Sequence, residues 1–404
     1  LTLSLTPVLC DQLEAPGAIE RCIAFLEEIR PESHARDIAA AKRAGAHSEV
    51  VELERSAAEY ADAAQRLRHL DLLDALGERA TWTSAATHAV LPLLVSDEGV
   101  ELQVKIGIDS HRRRFGEWGG GFWLPECAHA PWLDPLLEEE GVRATCVELT
   151  NTFGLNDERH LTPLETDAGT VLWPVDRATM ALVWSDSGYP SSAAYRDYHN
   201  QTGHDHRAHR TDGGVYDPGA ANAQAREDAR DFVARVRARV ANGGMCVCAL
   251  DTELLGHWWY EGVVWLQHVL EEAERQDLAL TTLDDALETA DTHTAPQHLP
   301  TTSWGTGGDL RTWSGPAVAD IAWQARAAEL AVLRSDRPPS DRALRELLAL
   351  QSSDWAFQAS AGTAGDYPRE RAAAHAAALD HALAGDLELQ PRLRSLAPGL
   401  SRPR

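Results

Sequence analysis

Two acidic residues stand where apolar runs stop. Residues 245–250 (MCVCAL) carry no charge and end at Asp251, and residues 122–124 (FWL), which follow Gly119–Gly121, lead into Glu126. A strand buried on both faces reads as such a continuous apolar run, so each carboxylate is expected at the C-terminal end of a strand. Glu253, His257, Trp258, Trp259 and Glu261 crowd the stretch after Asp251, a density of titratable and flat aromatic groups that a purely structural loop does not need. Two carboxylates at two strand ends fit the retaining route of glycoside hydrolysis. One attacks the anomeric carbon and the other protonates the leaving oxygen, across a gap of roughly 5–5.5 Å. The acid must stay protonated while the nucleophile is ionised, which calls for burial or a neighbouring negative charge. Indoles stack on the C–H faces of sugar rings, which gives Trp258, Trp259, Trp304 and Trp313 a place in the same chemistry. The competing reading makes Asp251 the cap of a helix whose apolar positions start near Val263.

Further polar groups are less specific. His88 lies between Thr87 and a short apolar segment ended by Pro92, a setting in which a lone histidine more often belongs to the core. His199, His204, His206 and His209 fall in a polar stretch, residues 188–222, whose spacing matches no zinc signature; a mobile loop over a site is the plainer reading. The run 303–309 (SWGTGGD) and Trp313 read equally as a stacking platform and as a loop pinned to the core. Asp354 and Trp355, in QSSDWAF, read equally as helix cap and as substrate contact.

The elements that must position these groups follow from patterning. A chain of 404 residues with 44% apolar content can fill a large barrel plus a smaller domain. Its formal charge of −25, without long single-sign blocks, argues against nucleic acid or an anionic membrane as partner and is compatible with a neutral polymer. No run approaches a membrane span, and the opening LTLSLTPVLC lacks the basic start of a signal peptide. The six cysteines form neither CxxC pairs nor a dense framework and read as reduced, in a cytoplasmic protein. Helices are expected over 18–30, 49–70, 219–241 and 284–289, and strands over 1–9, 81–94, 122–124, 143–149, 179–185 and 245–250. Strands that end in polar groups, Asp186 among them, point to a parallel α/β barrel over residues 1–315, with the loop at 188–222 inserted. From Pro316 the pattern is alanine- and leucine-rich helix, a helical C-terminal domain over 316–404, and the closing SLAPGLSRPR is expected to fray.

Four motifs in order carry a resemblance: THAVLPLL around His88, GFWLPECA around Glu126, ALDTELLGHWWYEG around Asp251 and SWGTGGDLRTW around Trp304. Together they resemble glycoside hydrolase family 57, specifically its 1,4-α-glucan branching-enzyme-like members, and the likeness extends into QSSDWAF. The resemblance implies an incomplete (β/α)7 barrel followed by a helical C-terminal domain. It also implies retaining transfer of an α-1,4-glucan, such as amylose or a glycogen-like polymer, to a 6-hydroxyl, with no metal and no other cofactor. By resemblance Glu126 is the nucleophile and Asp251 the general acid/base, with His88, Trp123, His257, Trp259, Trp304, Trp313 and Asp354 lining the substrate site.

The chain departs from the family pattern at several points. No histidine-bearing first strand precedes His88, and the opening strand looks like the second of the barrel, so the coding sequence is expected to extend upstream of Leu1. The 404-residue form alone is then expected to be aggregation-prone and poorly active. His129 stands where a tyrosine is common and Thr306 where an acidic residue is usual. The tyrosine of a lid that favours transfer over hydrolysis is either Tyr189 or Tyr216. Alternatives to branching are 4-α-glucanotransferase or amylase action, a non-catalytic glucan-binding protein, and a metal-dependent deacetylase built from the histidine-rich stretch.

Overall fold

The structure, a computed structural model, describes residues 1–386; the terminal SLAPGLSRPR lies outside the described residues. By contacts the chain divides into two compact units. One comprises residues 1–16, 73–175 and 281 onward, the other 17–72 and 176–280.

The first unit holds the strands β1 (Leu3–Ser4), β2 (Ala80–Ser84), β3 (Phe122–Trp123), β4 (Ala144–Val147), β5 (Leu164–Glu165), β6 (Val171–Pro174) and β7 (His293–Thr294). β1, β2 and β3 run parallel in that order, and a parallel bridge from Gly121 to Ala144 leads on to β4. The order continues β4, β6, β5, β7, with β5 antiparallel to β6 and the other pairs parallel. β4 and β6 are buried along their whole length, as their uncharged sequences ATCV and VLWP require. The helix Asp97–Phe115 lies so close to β2 that a Cβ on Gly107 would meet the Ser84 carbonyl oxygen at 2.2 Å, so glycine is needed there. Thr83 closes the contact by donating its hydroxyl to the Gly107 carbonyl at 3.1 Å. At the outer edge the helix Leu283–Leu287 covers β1 and β2. Its Leu283 N–H donates to Thr2 Oγ1 at 2.7 Å, and Asp284 accepts from Thr81 Oγ1 and Trp82 Nε1 at 2.7 and 3.1 Å.

Beyond residue 315 every described element is helical, with Ala319–Leu333, Asp341–Leu350, Ser353–Ala361 and Tyr367–Leu383 packed around Trp313, Ile321, Leu347, Trp355 and Leu379. Helix already precedes residue 316, at Arg311–Ser314, and contacts place the helices beyond it in the same unit as the strands. Buried Glu329, on the first of them, accepts the N–H groups of Val95 and Ser96 at 3.2 and 3.0 Å, donors just ahead of the helix Asp97–Phe115. The chain is thus mixed α/β with a helical C-terminal region.

The second unit is helical in its regular parts. Ala18–Ala24, a π-turn at Phe25–Ile29, Arg30–Ala44 and His47–Leu67 form one layer, and the apolar faces of Pro218–Arg239 and Gly262–Arg275 enclose Phe232, Trp259 and Trp265. Within 188–222 the histidines are not a loose loop. His204 Nδ1 lies 2.6 Å from Asp37 Oδ1, the His206 ring packs at a tilt on His34 with centroids 3.5 Å apart, and Arg30 Nη2 reaches His206 Nδ1 at 2.6 Å. Among the described residues no group of three His, Cys, Asp or Glu side chains is set to hold a metal ion, and no helix is long and apolar enough to cross a membrane.

Four expected strands need correction. Of residues 81–94 only 81–84 lie in a strand, β2, and the chain then turns, with a short helical turn at Leu91–Leu93. Residues 1–9 give only β1 before the helix Pro7–Leu13 begins with proline in its first turn. Residues 179–185 continue from the helical turn Arg177–Met180, because buried Thr179, Met180 and Val183 follow a helical rather than an alternating spacing. Residues 245–250 are not a doubly buried strand: of the six only Val247 is buried, its carbonyl accepting the Asp176 N–H at 2.8 Å. Runs of small residues such as Cys-Val-Cys-Ala pass for strand core without supplying the bulk that packs one. β6, in contrast, was not anticipated.

Candidate active site

In the first unit, Glu126 follows β3 in a tight turn, Pro125–Cys127, as the sequence implied. Three non-glycine residues here sit at positive φ: His88 at 57°, Glu126 at 64° and Cys127 at 48°. Such left-handed backbone costs about 1–3 kcal/mol per residue and persists where the surroundings impose it, commonly at functional sites. The surroundings are visible. His129 and Thr302 exchange backbone hydrogen bonds at 3.0 and 2.9 Å, and the Trp304 N–H donates to the Glu126 carbonyl at 3.0 Å, so the segment 302–304 is laced onto 126–129.

The side chains converge on the same point. Trp304 Nε1–H donates to Glu126 Oε2 at 2.9 Å, His88 Nδ1 lies 3.6 Å from Oε1, and the Glu126 side chain keeps 13% exposure. Trp123 packs at a tilt on Trp304, ring centroids 5.1 Å apart. The indole of Trp304 therefore acts as a hydrogen-bond donor to a carboxylate, a use that a stacking role alone would not reveal. Trp313 is not a substrate platform: it is buried at 3%, and Gly305 sits so close that a Cβ there would meet its ring at 2.6 Å. It anchors the 303–309 loop to the core. Asp354 is exposed in the first turn of Ser353–Ala361, where a carboxylate favours the helix dipole. The neighbouring Ser353, overlooked in the sequence, is the residue that reaches the site: its Oγ lies 3.0 Å from His88 Nδ1, and its N–H donates to the His88 carbonyl at 3.2 Å. His129, expected where a tyrosine is common, is fully buried with Nε2 2.7 Å from Asp134 Oδ1.

In the second unit, Asp251 is exposed and begins the short turn Thr252–Leu254 without a side-chain cap bond. It does not cap the later helix, which starts after Glu261. Trp259 is 1% exposed, edge-on to Tyr195 and packed on Trp265, so it belongs to the core rather than to a sugar platform. The exposed aromatic group is its neighbour Trp258, 44% exposed, with its Nε1 donating to Glu253 at 3.2 Å. His257, also exposed, packs edge-on to Trp258, and Tyr198 lies 4.5 Å from the Trp258 ring with Arg207 3.8 Å above the tyrosine. Alternation along HWWYEG puts one indole inside and one outside, but composition does not say which. Glu261 is buried against the Arg196 N–H, and burial raises its carboxyl above the usual range. Both lid candidates are tied down. Tyr189 Oη donates to Asp231 at 2.7 Å and Tyr216 is buried beneath Arg196.

Comparison with known proteins bears on these groups. A family model described as glycosyl hydrolase family 57 matches residues 64–301, and one described as the C-terminal part of 1,4-alpha-glucan branching enzyme matches residues 327–390. A 1,4-alpha-glucan branching enzyme of Thermococcus kodakarensis is 31% identical over 362 residues, covering 76% of this chain and 53% of its own length. A probable 1,4-alpha-glucan branching enzyme of Mycobacterium tuberculosis is 34% identical over 342 residues, 75% of this chain and 63% of its own. The chain thus spans between half and two thirds of these relatives. Among solved structures, a branching enzyme of the same family from Pyrococcus horikoshii superposes with a TM-score of 0.85 at 27% identity, covering 93% of this chain and 78% of that one. An alpha-amylase from Thermotoga maritima shares the fold, with a TM-score of 0.78 at 23% identity over 96% of this chain and 85% of that one. With the family match running over more than half its length and taking in both Glu126 and Asp251, the chain belongs to glycosyl hydrolase family 57.

Proposed function

We propose that this chain catalyses α-1,4-glucan branching by a retaining double displacement. The observation that carries the proposal is the Glu126 carboxylate: one oxygen held by the Trp304 indole at 2.9 Å, the other without a donor in hydrogen-bond range from His88 at 3.6 Å. A nucleophilic carboxylate needs this asymmetry, with one oxygen fixed for aim and the other keeping its lone pairs for the anomeric carbon. Glu126 Oε1 attacks C1 of the donor as the C1–O4 bond breaks, and Asp251 gives its proton to O4. A 6-hydroxyl of a second chain then attacks C1 of the ester while Asp251 takes the hydroxyl proton, which restores the free carboxylate.

Support for transfer rather than hydrolysis is the branching-enzyme C-terminal match, whose residues include Ser353 beside the site. In this reading residues 1–315 form an incomplete (β/α)7 barrel and residues 316–404 a helical C-terminal domain. The enzyme works in the cytoplasm on a glycogen-like polymer, without a metal. Asp354, His257 and the exposed Trp258 meet the glucan. The test is incubation with amylose. Branching lowers iodine staining with little gain in reducing ends and yields short chains on debranching, whereas reducing ends that rise in step with the loss of stain would mean hydrolysis.

A further inference from the structure

His88 Nδ1 faces two oxygens, Ser353 Oγ at 3.0 Å and Glu126 Oε1 at 3.6 Å. Only the first is a hydrogen-bond distance. A bare Nδ1 would set its lone pair against the carboxylate, so the charge on Glu126 favours a proton on this nitrogen. That proton then has two acceptors to choose between, and an ionised carboxylate is the stronger one. Something must hold the ring back from it. The backbone around His88 is already fixed, by its left-handed φ of 57°, by the Ser353 N–H bond to its carbonyl at 3.2 Å and by the bridge between Ala89 and Ser352. None of these is a contact of the imidazole, whose Nδ1 meets the Ser353 hydroxyl at 3.0 Å.

We propose that Ser353 is a positioning residue that captures the Nδ1 proton of His88 and so keeps it off Glu126 Oε1, leaving that oxygen free to attack. The inference rests on Glu126 being the nucleophile. Without the hydroxyl, the imidazole closes the gap and donates to Oε1, which ties up the attacking lone pair. The C-terminal helical region thereby tunes the nucleophile without touching substrate. Because the Ser353 backbone bonds survive substitution, Ser353→Ala removes the proton acceptor and leaves the anchorage in place.

The experiment uses the full chain with amylose and with an α-linked donor carrying an activated leaving group. Ser353→Ala is expected to lower kcat by about 10²-fold with KM changed less than about twofold. Ser353→Thr restores kcat, and adding Ser353→Ala to His88→Asn costs nothing further, because the serine acts only through the ring. An unchanged kcat in a Ser353→Ala variant with native thermal unfolding overturns the proposal, as does an equal loss in the His88→Asn background. Should the alanine variant fail to fold, Ser353→Cys takes its place in the same comparison. The ring nitrogens of His88, read by NMR and assigned against His88→Asn, give an answer independent of turnover. Protonation at Nδ1 in the parent chain is expected, and a proton on Nε2 alone overturns the inference. Turnover that survives in Glu126→Gln would instead overturn the nucleophile reading, while the nitrogen signals, compared between the parent chain and Ser353→Ala, still report on the His88–Ser353 contact.

Discussion

Glu126 and Asp251 both follow apolar runs, yet the two regions hold their carboxylates by different means. Around Glu126 three residues sit in left-handed backbone, an indole tethers one carboxylate oxygen, and the segment 302–304 is bonded to the turn through its backbone. Around Asp251 the backbone is in the ordinary extended region, the residue is exposed, and the bulk nearby is packed beneath it as buried Leu254 and Trp259. The contrast suits the proposed division of labour. A nucleophile must present one atom along one line, and strain is the means of holding it there. An acid/base serves two successive steps with different partners, and the burial expected to keep Asp251 protonated is not found, since the residue is exposed.

The comparison is broken most directly at the carboxylates. Glu126→Gln and Asp251→Asn are each expected to lose roughly 10⁴-fold in kcat while still binding glucan. With an activated α-linked donor, azide should give the α-azide when Asp251 is replaced and the inverted β-azide when a smaller residue replaces Glu126, read by product stereochemistry. Full activity in either variant would remove that residue from the mechanism. Next in size is the tether: Trp304→Phe keeps the ring but loses a hydrogen bond to a charged acceptor, so kcat should fall about 10–100-fold in steady-state kinetics.

The two indoles of the second region separate fold from function. Trp259→Ala empties a packed site and should cost about 3–5 kcal/mol in denaturant unfolding, whereas Trp258→Ala should leave stability within about 0.5 kcal/mol and raise KM for amylose. The smallest effect concerns acid. Burial, together with the charges of His34 and Arg30 beside it, pushes the His206 imidazole down to about 4. Its folded pKa lies below the unfolded value of 6.5, so stability is fully present above that value and drains as pH falls toward about 4. Thermal unfolding of the parent chain should show a downward slope in that window, and His206→Gln should flatten it; an unchanged slope would assign the acid sensitivity elsewhere.

The helices near 18–30, 49–70 and 219–241 and the turn at Glu126 were legible in the sequence because their signals are local, a 3.6-residue period or a glycine run before a short apolar strand, whereas Asp97–Phe115 and most of Arg30–Ala44 were not anticipated. The segment before Asp251 was misread because apolar character reports burial only when the residues are large, and four of the six positions there are Met, Cys, Cys and Ala, each half-covered. Trp259 and Trp313 were assigned to substrate from their type, whereas which indole faces inward depends on neighbours distant in sequence. Ser353 was invisible for the same reason, since nothing local distinguishes it from Ser352.

The pairing of His88 with Ser353 spans 265 positions. During synthesis, at roughly 5–20 residues per second, the strand and turn that carry His88 leave the ribosome on the order of 10–50 s before the helix that completes their contacts. For that interval β2 and its neighbours expose unpaired edges and apolar faces, with non-local closure as the slow step. The contacts that complete the His88 turn are thus made only after the helix Ser353–Ala361 has been synthesised.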